Sequence, residues 1–533
     1  MFKQLAACAA AVALVGAGTI TATAAENTPV YMEAIAAGAS LKVLATAGDK
    51  IGNYYLPGTP DGLGIVPTKA GIKILMNHEF SVSGAAAAIK RAGGSVTGGA
   101  TITGLNLDTA SQSVTSAAEF LKTATFYDYE KNKFSKSAVA PEYAAAADEY
   151  GVPLHVNALN RFCSSSYAPA GSFQAIVKGK KVGYAGGIYL TGEEGGNESR
   201  GFAVDTTGNL VHLPRLGLAP WETFNNVPTG NAVTALIGGE DGAAIDSQLW
   251  MYVGKKTNVG TWYSKAGLTN GTNYVIKVAD AATDTDFRKV YGKGKIAEAT
   301  FAAVDWNASG AIQNNQAKLV GTSFTRIEDG VFDPKNPNVF YFNTTESNKD
   351  AKATTLNPDD STVLKRDGGA LWRLTFKDVK NPLKGATIEM LLDGSEAPYL
   401  NKPDGIEADS AGNILIQEDP GNNEQLARVL AYNIETKKIA VVARFKADLF
   451  GPTAAKKITM DEESSGIVEV SKYLRKSGDT KHYYLLDAQV HASTALARPD
   501  ITDAEVKKEL EKLIEGGQLY LLTIDDWSKV VFK

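Results

Sequence analysis

Apolar residues fall along this chain in short, β-rich runs bounded by clusters of Asp, Asn and Gly. One arrangement of them repeats: an acidic residue and Gly open a run, a turn follows, and a second run ends in acids. Asp61-Gly62 leads in this way to Ile74-Leu75-Met76-Asn77-His78-Glu79, and Asp404-Gly405 leads to Ile414-Leu415-Ile416-Gln417-Glu418-Asp419. Looser copies begin at Ser199-Arg200-Gly201, Asp241-Gly242 and Asp329-Gly330. Another centres on Glu463-Ser464-Ser465-Gly466, with Tyr484-Leu485-Leu486-Asp487 as its second run. Several copies have compact polar turns, such as Asp205-Thr206-Thr207-Gly208-Asn209 and Asp409-Ser410-Ala411-Gly412-Asn413. Runs so bounded are hairpin signals, and their recurrence at long intervals predicts the blades of an all-β propeller. Equivalent strand ends of successive blades converge on one axis. Acids that recur at those ends would meet there, as a metal site assembled from the whole chain.

The remaining stretches are less regular. Leu41 to Val66 reads as a hairpin-like start, and Ala85 to Gly104 is rich in small residues. Residues 117–160 are the least blade-like and contain the helical Pro141-Glu142-Tyr143-Ala144-Ala145-Ala146-Ala147-Asp148-Glu149, so an insertion packed on the propeller is expected there. Tyr274 to Phe301 could supply outer strands of a blade, and Ser347 to Asp367 reads as an exposed polar loop. Thr502-Asp503-Ala504-Glu505 has capping-box spacing, and Val506, Leu510, Leu513 and Ile514 recur at helical spacing up to Gly516-Gly517. Gln518-Leu519-Tyr520-Leu521-Leu522 reads as a final strand whose partner would be the N-terminal sheet, closing the ring and removing its exposed edges. No Pro/Ser tract divides the chain, so residues 26–533 are expected to form a single propeller domain. Trp221, Trp250 and Trp372 are expected in blade cores.

Composition narrows the function. With 54 Lys+Arg against 59 Asp+Glu in 533 residues, the net charge of −5 gives no footprint for nucleic acid, although a local cationic pocket for an anion is compatible with it. Residues 1–25 read as a secretory signal: Met1-Phe2-Lys3, an Ala/Val/Leu run, then the small-residue site Ala22-Thr23-Ala24. The run is too short and alanine-rich for a permanent membrane span. Leu5-Ala6-Ala7-Cys8 mimics a lipoprotein box, but most of the apolar stretch lies after Cys8, which disfavours lipidation. A periplasmic or secreted protein is expected, acting as a monomer. Without the signal, Cys163 stands alone and has no internal partner for a disulfide. It reads either as an inert buried thiol or as a metal ligand or nucleophile.

There is no G-x-S-x-G elbow, H-E-x-x-H, P-loop or Cys-x-x-Cys, and the five histidines are scattered. What remains is rich in carboxylates: Asn77-His78-Glu79, Glu193-Glu194, Glu222, Glu240-Asp241, Glu328-Asp329, Asp404, Glu418-Asp419, Glu462-Glu463 and Asp487. Adjacent acids are usually just solvated, but these follow apolar strands directly. Like charges sharing a cleft repel unless cations neutralise them. Oxygen ligands suit calcium above all, with manganese, magnesium or ferric iron as alternatives, and a thiolate would favour a transition metal beside it. Such cations could activate water in place of a serine nucleophile. Arg326 could offer a planar fork to an anion or serve as an ion-pairing surface arginine.

At these residues the chain resembles the PhoX-type alkaline phosphatase family and its uncharacterised relatives, exported bacterial proteins on a six-bladed propeller with added segments. The likeness rests on Asn77-His78-Glu79, on Cys163 upstream of Leu190-Thr191-Gly192-Glu193-Glu194, and on Leu216-Gly217 with Glu222. Arg326-Ile327-Glu328-Asp329 and Pro403-Asp404-Gly405 with Ile416-Gln417-Glu418-Asp419 complete it. The resemblance implies Cys163, Glu222 and Glu328 as ligands of ferric iron. It implies Glu194 and Asp419 as helping to hold calcium, Glu79 as a further metal residue, Arg326 as the phosphate clamp, and Glu328 beside it in the catalytic pair. It also implies a metal-bridging oxygen that attacks phosphorus in small organic phosphates. The chain departs from the family at Ser164-Ser165-Ser166-Tyr167, where a Gly-rich stretch is usual. Trp221 replaces a histidine, and Ile327 a proline. The alternatives are a phytase-like or calcium lactonase-like propeller hydrolase, or a non-catalytic calcium-stabilised binding propeller.

Overall fold

The computed structural model describes residues 28–81, 89–90, 96–129, 131–135, 158–242, 245–346, 368–396, 399–421, 425–513 and 515–533. Among these residues the strands form an all-β propeller of six blades, each built on antiparallel strands running outward from an inner strand. The inner strands are Pro60–Thr68, Phe162–Ala168, Trp221–Asn226, Ile327–Phe332 and Pro403–Ala408, with Ile467–Glu469 in the sixth blade. Each lies against the next and the last against the first, so they ring one axis.

Blade interfaces explain why the apolar runs are continuous instead of alternating. Successive side chains of a strand point to opposite faces, and both faces of a blade are covered by neighbours. Ile74 and Met76 join the cluster shared by the first and sixth blades, whereas Leu75 between them joins the cluster shared with the second. In the third blade Ala235 and Ile237 pack toward the fourth, and Leu236 toward the second. Trp221, Trp250 and Trp372 are fully buried in these interfaces, as expected.

The ring closes as the final run predicts. Gly516–Ile524 pairs on one side with His482–Val490 and on the other with Ala39–Thr46 from the opposite end of the chain. Tyr274 to Phe301 does contribute outer strands: Thr272–Val278 and Ile296–Val304 pair with each other, and the second continues onto Ala386–Asp393 of the fourth blade.

Part of the 117–160 stretch is built into blades, while Ala158–Leu159 pairs with Val96–Gly99 in a small separate sheet. Ser113–Glu119 is the outer strand of the first blade, and Thr123–Asp128 adds in parallel to Asn209–His212 of the second. The predicted helix at 141–149, the loop at 347–367 and the leader at 1–25 lie outside the described residues. Among the described residues no helix is long and apolar enough to cross a membrane.

Candidate metal centre

At one end of the axis every blade repeats the same backbone clasp. The residue just past the second strand donates its N–H to the carbonyl of the residue just before the inner strand. The pairs are Glu79 to Thr59 (3.0 Å), Glu194 to Arg161 (2.9 Å), Asp241 to Pro220 (2.9 Å), Thr345 to Arg326 (2.9 Å), Asp419 to Lys402 (2.9 Å) and His491 to Asp461 (3.0 Å). Immediately afterwards the ladder slips. Bulges fall after Pro60, Phe162, Trp221, Ile327 and Pro403, and in the sixth blade pairing breaks between Glu463 and Ile467. A bulge re-aims the side chain it releases. Each blade thus supplies a collar residue, an axis residue two positions later, and a rim residue from its second strand.

The axis residues are Asp61, Cys163, Glu222, Glu328, Asp404 and Glu463, and the rim residues include Glu79, Glu194, Asp241 and Asp419. Their ligand atoms come together in overlapping groups across blades: Asp61, Cys163 and Glu222; Glu79, Cys163 and Glu194; Asp61, Glu79 and Glu463; Glu222, Asp241 and Glu328; Asp404, Asp419 and Glu463. Within each group the atoms lie within 4.8 Å of one another. Close backbone approach is needed to hold them there. A Cβ on Gly62 would meet Ser165 N at 2.3 Å, and one on Gly405 would meet Ser465 O at 2.2 Å.

Two ionised carboxylates at 4.8 Å repel by about 3 kcal/mol at an effective dielectric of 20. Burial together with Asp241 pushes Glu222 up to about 8, and burial with Asp419 pushes Glu463 up to about 7. Burial, then Asp61 and Glu222, raises the Cys163 thiol, which donates to Asp61 Oδ2 at 3.4 Å. Asp404 Oδ1 is buried with no hydrogen-bond partner. Nine carboxylates and one thiol in this arrangement fit hard cations with one softer metal at the thiol.

Adjacent acids of the sequence prove to have different tasks. Glu193 is held by Arg200 at 2.7 and 2.6 Å, Glu418 by Arg428 at 2.7 and 2.6 Å, and Glu240 by Trp250 Nε1 at 2.7 Å and Gln248 N at 2.9 Å. Only their neighbours Glu194, Asp419 and Asp241 reach the rim. In Asn77-His78-Glu79, Asn77 donates to Cys163 O at 2.5 Å and fixes the neighbouring inner strand. His78 binds Gly58 O and Thr103 Oγ1, both at 2.7 Å, and burial lowers its pKa to about 4, so it stays neutral. Glu79 alone reaches the axis. Trp221 is blade core, with its ring 4.6 Å from that of Phe224.

Cys163, Glu79, Glu194, Glu222, Glu328, Asp419 and Arg326, the residues singled out from the sequence, all sit at this end of the axis. Asp61 joins them through the same Asp-Gly frame as Asp404. The looser copies are out of frame: Arg200-Gly201 opens a third strand, Asp241-Gly242 follows a second, and in Glu328-Asp329 it is the glutamate that faces the axis. Asp329 instead lines a cavity of about 200 Å³ farther along the channel, with Asn225, Glu407 and Glu469.

Arg161 was not legible as a site residue. It binds Glu79 and Glu194, each at 2.6 Å, while Arg326 binds Asp241 at 2.7 and 2.6 Å and lies 3.6 Å from Glu328. Thr59, Arg161, Arg326 and Lys402 all have positive φ, 42° to 57°, a conformation costing a side-chain-bearing residue about 1–2 kcal/mol. The signal that could have revealed Arg161 is its spacing: it precedes Cys163 by two residues, as Arg326 precedes Glu328. Gln489 steadies the acids by donating to Asp61 at 2.9 Å and Glu79 at 3.2 Å. Burial opposes charge on His491, but Glu463 and Glu515 carry its pKa well above the usual imidazole value.

No protein-family model matches the chain, and no curated protein sequence matches it. Among solved structures it is similar to the luciferin-regenerating enzyme, at 8% identity over 91% of this chain and 95% of that one, with a TM-score of 0.31. It is similar to a GH43_1 enzyme from Xanthomonas citri, at 8% identity over 93% of each chain and a TM-score of 0.31. It is also similar to Pseudomonas fluorescens PhoX in complex with vanadate, a transition state analogue, at 12% identity over 95% of this chain and 98% of that chain; the TM-score of 0.59 shows a shared fold.

Proposed function

We propose that this protein is a metal-dependent hydrolase that releases phosphate from small phosphomonoesters. The observation that carries the reading is a half-buried arginine fork, Arg326, set over a ring of nine carboxylates and a thiol at the end of the propeller axis. The fold shared with a phosphatase that binds vanadate supports it.

In this reading Cys163, Glu222 and Glu328 would hold ferric iron, and Glu194, Asp419 and Glu79 would hold calcium, with Asp61, Asp241, Asp404 and Glu463 completing the donor set. Cations bound there supply Lewis acidity and a water of lowered pKa. The chain's own residues do the rest. Arg326 matches two phosphoryl oxygens with parallel N–H donors and offsets the charge that builds on them. Glu328, 3.6 Å from that guanidinium, keeps the fork aimed at the axis. Gln489 and the charged His491 hold Asp61, Glu79 and Glu463 in their ligating orientations.

The test is phosphate release from p-nitrophenyl phosphate by protein loaded with calcium and ferric iron. Arg326→Ala is expected to lose about a hundredfold or more in kcat with its fold and metal content intact. Undiminished turnover in that variant would overturn the assignment. Activity on lactones with calcium alone would favour the lactonase-like reading instead.

A further inference from the structure

The collar carries cations at three of its six equivalent positions, Arg161, Arg326 and Lys402. Each reaches back toward the rim of the preceding blade: Arg161 to Glu79 at 2.6 Å, Arg326 to Asp241 at 2.6 Å, Lys402 to Glu346 at 4.0 Å. All three hold left-handed backbone conformations that side-chain-bearing residues seldom adopt, and such strain concentrates at functional sites. Arg161 and Arg326 have the same side-chain exposure, 28%. Both lie at the same end of the axis: Glu79 and Glu194, which bind Arg161, group with Cys163, Cys163 groups with Glu222, and Glu222 groups with Asp241 and Glu328, which flank Arg326.

The two forks are not redundant. Each is anchored in its own pair of acids, Glu79 and Glu194 for one, Asp241 and Glu328 for the other. The collar position between them is Pro220, which has no donor to offer. One phosphoryl group needs only one planar fork beside its cations. A second fork at a separate point of the same end of the axis fits a second anionic group on the same molecule.

Resting on the phosphomonoesterase reading, we propose that Arg161 forms a second anion subsite, and that the substrates are phosphate esters whose leaving group itself carries a carboxylate or another phosphate. Arg326 receives the phosphoryl group to be released, and Arg161 receives the anion on the leaving group.

The test compares p-nitrophenyl phosphate, whose leaving group has no second anion, with phosphoglycolate, whose leaving group bears a carboxylate. In the metal-loaded protein, Arg161→Gln is expected to raise KM for phosphoglycolate about tenfold more than KM for p-nitrophenyl phosphate, with the same change in kcat on both esters. Arg161→Lys should recover part of the loss, because it keeps the charge and gives up the fork. Equal losses on both esters would overturn the proposal and leave Arg161 as a residue that positions Glu79 and Glu194. Calorimetric binding of phosphonoacetate and methylphosphonate separates this from failure of the phosphatase reading. A preference for phosphonoacetate that disappears in Arg161→Gln upholds the subsite even if no ester is hydrolysed. Equal affinities in the wild type contradict it.

Discussion

Glu193 and Glu194 are neighbours in sequence and end in opposite circumstances. The first is sealed under the second blade and gripped by Arg200, and Glu418 with Arg428 repeats the arrangement in the fifth. Glu240 is satisfied by indole and amide donors. The second member of each pair turns to the axis, where acids outnumber the protein's own cations. An acid that the fold must keep is given a protein partner inside the same blade. An acid at the axis is crowded with others of its kind, an arrangement whose repulsion external cations would relieve.

Breaking the inner grip should have the largest effect. Arg428→Ala leaves Glu418 buried without its partner and is expected to cost about 3–5 kcal/mol, read from denaturant unfolding at fixed metal concentration. A change below about 1 kcal/mol would mean that the two rings do not differ as described.

Removing cations from the axial ring comes next. Chelation of the loaded protein should lower its stability by about 4 kcal/mol when the cations are present at a thousandfold their Kd. The chelated protein should then lose stability as pH rises through about 7 to 8. The sign follows from Glu463 and Glu222, pushed up to about 7 and about 8 in the folded chain. The folded state binds more protons than the unfolded one above the usual carboxylate range, so stability is full at lower pH and declines as these groups ionise. The loaded protein should lack this decline, and metal binding should release protons. A pH-independent melting temperature after chelation would contradict it.

Glu222→Gln should produce a smaller effect of opposite character. Metal affinity should fall about tenfold or more, while the chelated variant should be at least as stable as the chelated wild type above pH 8, because one repulsive charge is gone. The smallest change is expected at Asp329→Asn. Asp329 follows Glu328 directly but faces the other stretch of the channel, where burial pushes it up to about 7. Metal content should not move, and stability should stay within about 1 kcal/mol. Loss of metal from this variant would place the wrong member of the pair at the axis.

Much of the fold was legible because both faces of every blade are buried, which writes unbroken apolar runs such as Ile74-Leu75-Met76 into the chain. The closing strand after Gly516-Gly517 was legible for the same reason. Thr123–Asp128 was not, since its parallel pairing with a strand more than eighty residues later leaves no local turn signal. At the site, acids ending strands were visible, but their division into gripped and axial members was not. Arg200 immediately precedes the third strand of its blade and Arg428 opens the third strand of its own, and only the folded sheet brings them back. Arg161 stayed hidden because its strained backbone, and hence its kinship with Arg326, is a property of the blade repeat and has no composition of its own.

The most direct test of the account is elemental analysis of protein purified without chelator, alongside Cys163→Ala. Calcium and iron are expected in stoichiometric amounts in the wild type, with iron lost and calcium retained in the variant. Protein that folds and holds no stoichiometric cation at the axis would contradict it.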